Sequence, residues 1–199
     1  MKRFFCFFMS GMFFLIFSCP VFAAGKSLGE QKVKPEISVE IDEGTPKYIY
    51  KNKTVPCSGS SHHTLGCTRV AFYAEMRGTE VTAAGELKKI KLLIGLKEIE
   101  VELSSELVKG ECLFNAVLKH ELTHLALHRE ILKRFSPEIA KAVLSVADTL
   151  LVPVSQAGFN KLAKVLYSYA DKMMKEDNRQ NALMDSSNAY RFQQEQCKK

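Results

Sequence analysis

Within the 199 residues of this chain, the stretch that leaves the fewest options is Cys112–Phe135, CLFNAVLKHELTHLALHREILKRF. Leu113, Val117, Leu118, Leu122, Leu125, Ile131 and Leu132 return at three- and four-residue steps, the stripe of a helix packed on another layer. At its centre stand His120, Glu121, Leu122, Thr123 and His124, an H-E-x-x-H pattern. Residues four apart on a helix project from one face about 6 Å apart, so both imidazoles reach one Zn²⁺ and Glu121 can act on a water held there. An average composition produces the pattern by chance in fewer than about one chain in a hundred of this length, which sets chance aside. A merely decorated surface is disfavoured too. The motif lies among apolar residues on a helix expected to be buried, where polar side chains need partners such as a metal.

A hydrolytic zinc site needs a third protein ligand. His128 continues the four-residue spacing, but the first and third histidines lie about 12 Å apart along a straight helix, too far for bonds of ~2 Å. It is expected beside the site or on the surface. Glu130 occupies the place where the extended motif H-E-x-x-H-x-x-G-x-x-H puts its third ligand. Leu127 stands where that motif has the glycine that lets the chain turn, so Glu130 should continue the helix and point elsewhere. The acids downstream are Glu138, Asp148, Asp171, Glu176, Asp177 and Asp185. Asp148 lies at a suitable sequence distance for an acidic ligand and equally suits a solvent-facing helical position.

The other end of the chain speaks to compartment. Lys2 and Arg3 precede an apolar block, Phe4 to Phe17, followed by Pro20 and the small-residue sequence Val21, Phe22, Ala23, Ala24. This is the form of a secretory signal peptide over residues 1–23, cut after Ala23. The block is shorter than the ~20 residues of a membrane-spanning helix, so no stable span is expected once the signal is removed. Ile16 to Cys19 loosely imitates a lipoprotein cleavage site that would tether the chain through Cys19, but Phe17 and Pro20 suit it poorly. The expected location is therefore the periplasm or the cell exterior.

Cys57, Cys67, Cys112 and Cys197 remain after cleavage, an even number in an exported chain, which suggests two disulfides. Three pairings are open. The favoured one joins Cys57 to Cys67 across a short loop and Cys112 to Cys197 between the motif helix and the C-terminus. No C-x-x-C spacing supports a cysteine metal site. Residues 24–36 read as a loose lead-in and residues 37–199 as one domain of ordinary size. The net charge of +6 falls to about +4 with Lys2 and Arg3 gone. No Lys/Arg cluster interleaved with aromatics marks a nucleic-acid groove, so nucleic acid is not an expected partner.

Along the domain, Ile37, Val39 and Ile41, then Tyr48 and Tyr50, suggest short strands, and SGSSHHTLG is a loop that carries His62 and His63. Those two histidines read as solvent-facing, with metal or substrate contact the alternative. Val70, Phe72 and Ala74 mark a strand before a turn at Gly78 and Thr79. Two more strands follow, Lys89–Leu96 and Glu98–Leu107, with Ile90, Leu92, Ile94 and then Ile99, Val101, Leu103 each on one face. Ser136, Pro137 and Glu138 have the form of a helix stop and restart. Further helices are expected over about 137–151 and 159–176, with a short last one capped near Asp185 to Ser187 and running to Cys197. The layout is α+β: a mainly antiparallel β region, then a helical half.

Gly66-Cys67-Thr68, the strand IEVEL, KGECLFNAVLKHELTHLALHR and NALMDSSNAYRFQQEQC together resemble a group of small exported bacterial proteins regarded as zincin-type metallopeptidases. The resemblance implies a zincin-like fold and a zinc-dependent peptidase that acts on peptides or proteins. It further implies that Asp185 and Tyr190 are drawn near the helix by a Cys112 to Cys197 bridge. On it, Asp185 becomes the candidate third ligand beside His120 and His124, with Glu121 as the catalytic base; otherwise Asp185 only caps the last helix. Tyr190 either stabilises an oxyanion or packs. The alternative to an enzyme is a non-catalytic envelope or binding protein stabilised by its metal.

Overall fold

The computed structural model describes residues 33–50, 53–55, 57, 64–186, 195 and 197. In chain order the elements are β1 (Glu36–Asp42), β2 (Lys47–Tyr50), β3 (Gly66–Val81), β4 (Leu87–Leu103), α1 (Cys112–Ala147) and α2 (Gln156–Asp185). Strands precede helices, the expected α+β order. The expected signal sequence, His62, His63, Tyr190 and the body of the expected last helix lie outside the described residues.

The sheet is mixed, which corrects the expectation of a mainly antiparallel one. β3 and β4 form a long antiparallel hairpin, while β1 and β2 both pair with β4 in parallel. β1 takes the β4 segment Lys89–Gly95 and β2 takes Glu100–Leu103, so together they lie along one edge of β4 and β3 spans the other. Alternation alone cannot tell these directions apart, because a half-buried strand shows period two whichever way its neighbour runs.

The two expected strands on either side of Lys97 are one strand. β4 buries Ile90, Leu92, Ile94 and Leu96 and then Ile99, Val101 and Leu103, so the buried face changes from even to odd numbers. A bulge absorbs the change: Lys97 and Glu100 are three apart in β4 and pair with Ala71 and Arg69, which are two apart in β3. Glu98 sits in it at φ 53°, the left-handed region. At Gly78 the expected turn is likewise a bulge in β3, between Met76 and Gly78. The chain reverses at Thr82–Glu86, where Thr82 N–H donates to the Glu86 carbonyl and Thr82 Oγ1 accepts from Glu86 N–H.

α1 does not stop at Ser136. It continues through Pro137 as a single 36-residue helix. The cap signal is overridden because the buried stripe runs on in phase through Leu132, Ser136, Ile139, Ala140, Val143 and Ala147. Ser136 Oγ donates back to the Leu132 carbonyl at 2.7 Å and does not cap a new helix. α2 begins at the Ser155 N-cap, whose hydroxyl accepts from Gly158 N–H, and runs to Asp185, well past the expected end at 176. Leu125, Ile131, Leu132, Ile139 and Val143 of α1, Leu162, Leu166 and Met173 of α2, and the inner face of β4 form one core. Leu122 is exposed and takes no part in it.

Both favoured disulfides are present, Cys57–Cys67 and Cys112–Cys197. Such bridges persist in oxidising compartments and agree with export. Among the described residues no helix is long and apolar enough to cross a membrane.

The bulge generates a stability prediction. Glu98→Gly relieves a left-handed backbone costing about 1–2 kcal/mol in an L-residue, so it should be neutral or stabilising in urea unfolding. Deletion of Glu98 should leave the protein folded, since it sets Lys97 and Glu100 two apart, as Ala71 and Arg69 are, and keeps Ile99, Val101 and Leu103 on the face of Leu96. Insertion of a second residue beside Glu98 should abolish folding, because it turns those three side chains to the other face.

Candidate metal centre

α1 and α2 run antiparallel and present two matched series of polar side chains. On α1, His120, His124 and His128 recur every four residues; on α2, so do Asp177, Asn181 and Asp185. They meet in order. His128 Nδ1 is 2.6 Å from Asp177 Oδ1, His124 Nδ1 is 2.6 Å from Asn181 Oδ1, and Asp185 Oδ1 is 2.8 Å from His124 Nε2 and 3.1 Å from His120 Nε2.

The last rung gathers three donor atoms. His120 Nε2 and His124 Nε2 are themselves 3.0 Å apart, so with Asp185 Oδ1 they make a nearly equilateral triangle. An ion at the ~2.0–2.2 Å typical of imidazole and carboxylate ligands can touch all three corners. Among the described residues this is the cluster of His, Cys, Asp or Glu that could hold a metal.

The hydrogen bonds behind the ligands bear on their protonation. Asn181 Nδ2 donates to the Asp177 carbonyl at 2.8 Å, which turns Oδ1 toward His124 and makes His124 Nδ1 the donor. His124 Nε2 then presents its lone pair to Asp185 and to His120 whenever the ring is neutral. Three converging electron pairs repel unless a proton or a cation lies between them. Burial lowers the pKa of His124, but its hydrogen bonds to Asp185 and Asn181 and the charge of Asp185 outweigh that, and the net shift is upward. Burial acts to raise the pKa of Asp185, yet the two histidines hold it far below the ordinary carboxylate range. Its side chain remains 60% exposed, so solvent reaches this corner of the triangle.

Glu121 leaves the same helix toward the sheet. It is 3% exposed, and Thr68 Oγ1 lies 2.9 Å from both its Oε2 and its backbone carbonyl. Gly66 passes so close that a Cβ there would stand 2.8 Å from Glu121 Oε1 and from Val117 Cγ1, so the position excludes any side chain. Burial raises the pKa of Glu121, against the opposing charge of His124, the Thr68 hydrogen bond and the charge of His120.

Asp148 is the C-cap of α1, 24 residues beyond His124 and thus about 36 Å along the helix, so it is no ligand. Glu130 is exposed and continues the helix as expected. His128 is buried against Asp177 and stays outside the donor triangle. Sequence reasoning gave Thr68 and Asn181 no role and held Asp177 only as one of six downstream acids. One signal for the last two was present: the four-residue spacing of Asp177, Asn181 and Asp185 mirrors that of the three histidines.

No family model matches this chain, and neither the curated proteins nor the solved structures contain a match to it.

Two outcomes are expected. Asn181→Leu frees the His124 ring and should weaken metal binding 10–100-fold in a Zn²⁺ competition titration, with the fold retained. The second concerns pH. The folded pKa of His124 is raised above 6.5, so the metal-free protein draws full stability from its protonated pair with Asp185 below that pH and loses it as pH rises through the folded value. Metal requires neutral His124, so stabilisation by added Zn²⁺ should grow across the same window. Melting curves with chelator and with Zn²⁺ between about pH 5.5 and 8.5 should diverge, the chelated protein losing stability while the increment from Zn²⁺ grows.

Proposed function

We propose that this chain is an exported zinc-dependent metallopeptidase with a zincin-like arrangement. The observation that carries the reading is the convergence of His120, His124 and Asp185 beside the buried carboxylate of Glu121. Two imidazoles and one carboxylate suit Zn²⁺, a borderline ion that accepts nitrogen and oxygen in a four-coordinate site with one position open. Bound there, Zn²⁺ supplies Lewis acidity toward a substrate carbonyl and an attacking water.

The chain's own groups do the rest. Glu121, its pKa raised by burial, takes the proton of the attacking water and returns it to the departing amine, and Thr68 orients its carboxylate. Asn181 holds His124 in the tautomer that directs Nε2 to the site. A peptide substrate is supported by the sheet edge: among the described residues no strand pairs with the outer edge of β3, and that strand begins with Gly66 and Thr68 against Glu121. An extended peptide added to that edge would run beside the catalytic carboxylate. The two disulfides and the leader-like N-terminus support action outside the cytoplasm.

One observation favours a metal-stabilised, non-catalytic protein: Glu121 is almost wholly buried and already hydrogen-bonded. Glu121→Gln separates the two readings. Zinc content should remain that of wild type while peptidase activity on a broad peptide library falls by about 10²–10⁴-fold. Equal activity in the two proteins, with zinc retained, would sink the enzyme reading.

A further inference from the structure

His128 and Asp177 have no part in the mechanism above, yet they are among the most deeply buried polar side chains of the two helices, at 7% and 4% exposed. We infer that this pair is a positioning device: it sets the register of α2 on α1 and thereby carries Asp185 to the metal centre. The inference rests on the metal reading of His120, His124 and Asp185.

The argument begins with what apolar packing leaves undecided. Along α1, Leu132, Ile139 and Val143 are buried, and along α2, Leu162, Leu166 and Met173. Counted in the antiparallel register of the polar rungs, Leu132 comes opposite Met173, Ile139 opposite Leu166 and Val143 opposite Leu162. Apolar contacts have no direction, and stripes repeating at three and four residues offer similar contacts after a slip of one turn, about 5.4 Å. The polar rungs do not survive such a slip. Moved one way, Asp177 faces Leu132; moved the other, His128 faces Met173. Each alternative buries an ionisable group against an apolar one, which the interior strongly disfavours.

Position along the helix matters equally. Asp177 lies two turns before Asp185 on the same face of α2, and Asn181 lies between them with its amide donating to the Asp177 carbonyl. A fixed Asp177 thus fixes the partner of His124 and then the third donor. At the far side Asp185 ends α2 with its side chain 60% exposed, and among the described residues the hydrogen bonds that hold that side chain are those to the two imidazoles themselves. The ring of His128 lies edge-on to Phe72 of β3, 6.0 Å between centroids, which ties the rung to the sheet as well.

The test is a double-mutant cycle read by Zn²⁺ affinity in competition with a chromophoric chelator, with folding checked by circular dichroism. Asp185→Asn in the wild-type background should weaken Zn²⁺ binding by about 100-fold. In the background H128L/D177L, which replaces the pair by apolar groups, affinity should already be lowered, and adding Asp185→Asn should change it by less than about threefold. Asp177→Asn keeps an oxygen that accepts from His128 and should bind Zn²⁺ within a few-fold of wild type. Should H128L/D177L not fold, H128Q, which removes the donor at the Nδ1 position, takes its place in the cycle. An equal cost of Asp185→Asn in both backgrounds overturns the positioning role, as does a loss in Asp177→Asn as large as that in H128L/D177L. A wild-type protein that fails to bind Zn²⁺ stoichiometrically overturns instead the metal reading on which the inference stands.

Discussion

The antiparallel register of α1 and α2 is the constraint on which the rest of the molecule depends. His120 and His124 are brought together by the helix alone, through its 3.6-residue turn. A third donor from a residue 61 or 65 positions away requires that another helix lie alongside at one definite offset. Apolar burial supplies most of the energy for that arrangement, about 1.5–3 kcal/mol for each Leu, Ile, Val or Met side chain fully withdrawn from water. Short hydrogen bonds at His128–Asp177 and His124–Asn181 supply the direction that burial lacks. Where the first kind of interaction makes the helices associate, the second decides which residues meet.

What was legible in the sequence follows the same division. H-E-x-x-H could be read because its geometry is local, and the disulfides because an exported chain with four cysteines has only three ways to pair them. The inner face of β4 could also be read, as two strands, since each half keeps its own alternation. The bulge that makes them one strand was hidden, because a change of parity on one buried face is a property of the paired sheet. At Ser136-Pro137 the local signal pointed to a break and was outweighed by a buried stripe that continues on both sides of it. Asp185 stood among six downstream acids, and only a resemblance singled it out. Asn181 and Thr68 were given no role because their partners lie 57 and 53 positions away; nothing local announces Thr68, and Asn181 is marked only by its four-residue spacing from Asp177 and Asp185.

The two covalent links stand close to the same residues. Cys67 precedes Thr68, whose hydroxyl meets Glu121, and Cys112 opens α1 two turns before His120. Each bridge lowers the entropy of the unfolded chain by an amount that grows slowly with the loop it closes, typically 2–4 kcal/mol. The Cys112–Cys197 bridge spans 85 positions and encloses both helices, so all three candidate ligands lie inside its loop. Oxidation therefore bears on the part of the chain that must bring distant residues together.

A final constraint arises from the wheel of α1. Successive residues turn by about 100°, so His120 and His124 differ by about 40° and Glu121 stands about 60° from His124 on the other side. One helix thus has to offer two neighbouring faces to two different partners. The histidines face α2, where Asp185 and Asn181 await them, and Glu121 faces β3, where Gly66 has no side chain to obstruct it and Thr68 donates to it. Only a helix lying in the crease between a sheet and a second helix meets both demands. Separation of the faces also has an electrostatic consequence: Asp185, beside two imidazoles, is held ionised, while Glu121, withdrawn from water under the sheet, is pushed toward holding a proton. Two carboxylates of opposite tendency thus stand next to one pair of histidines, and the difference follows from which side of the helix each carboxylate meets.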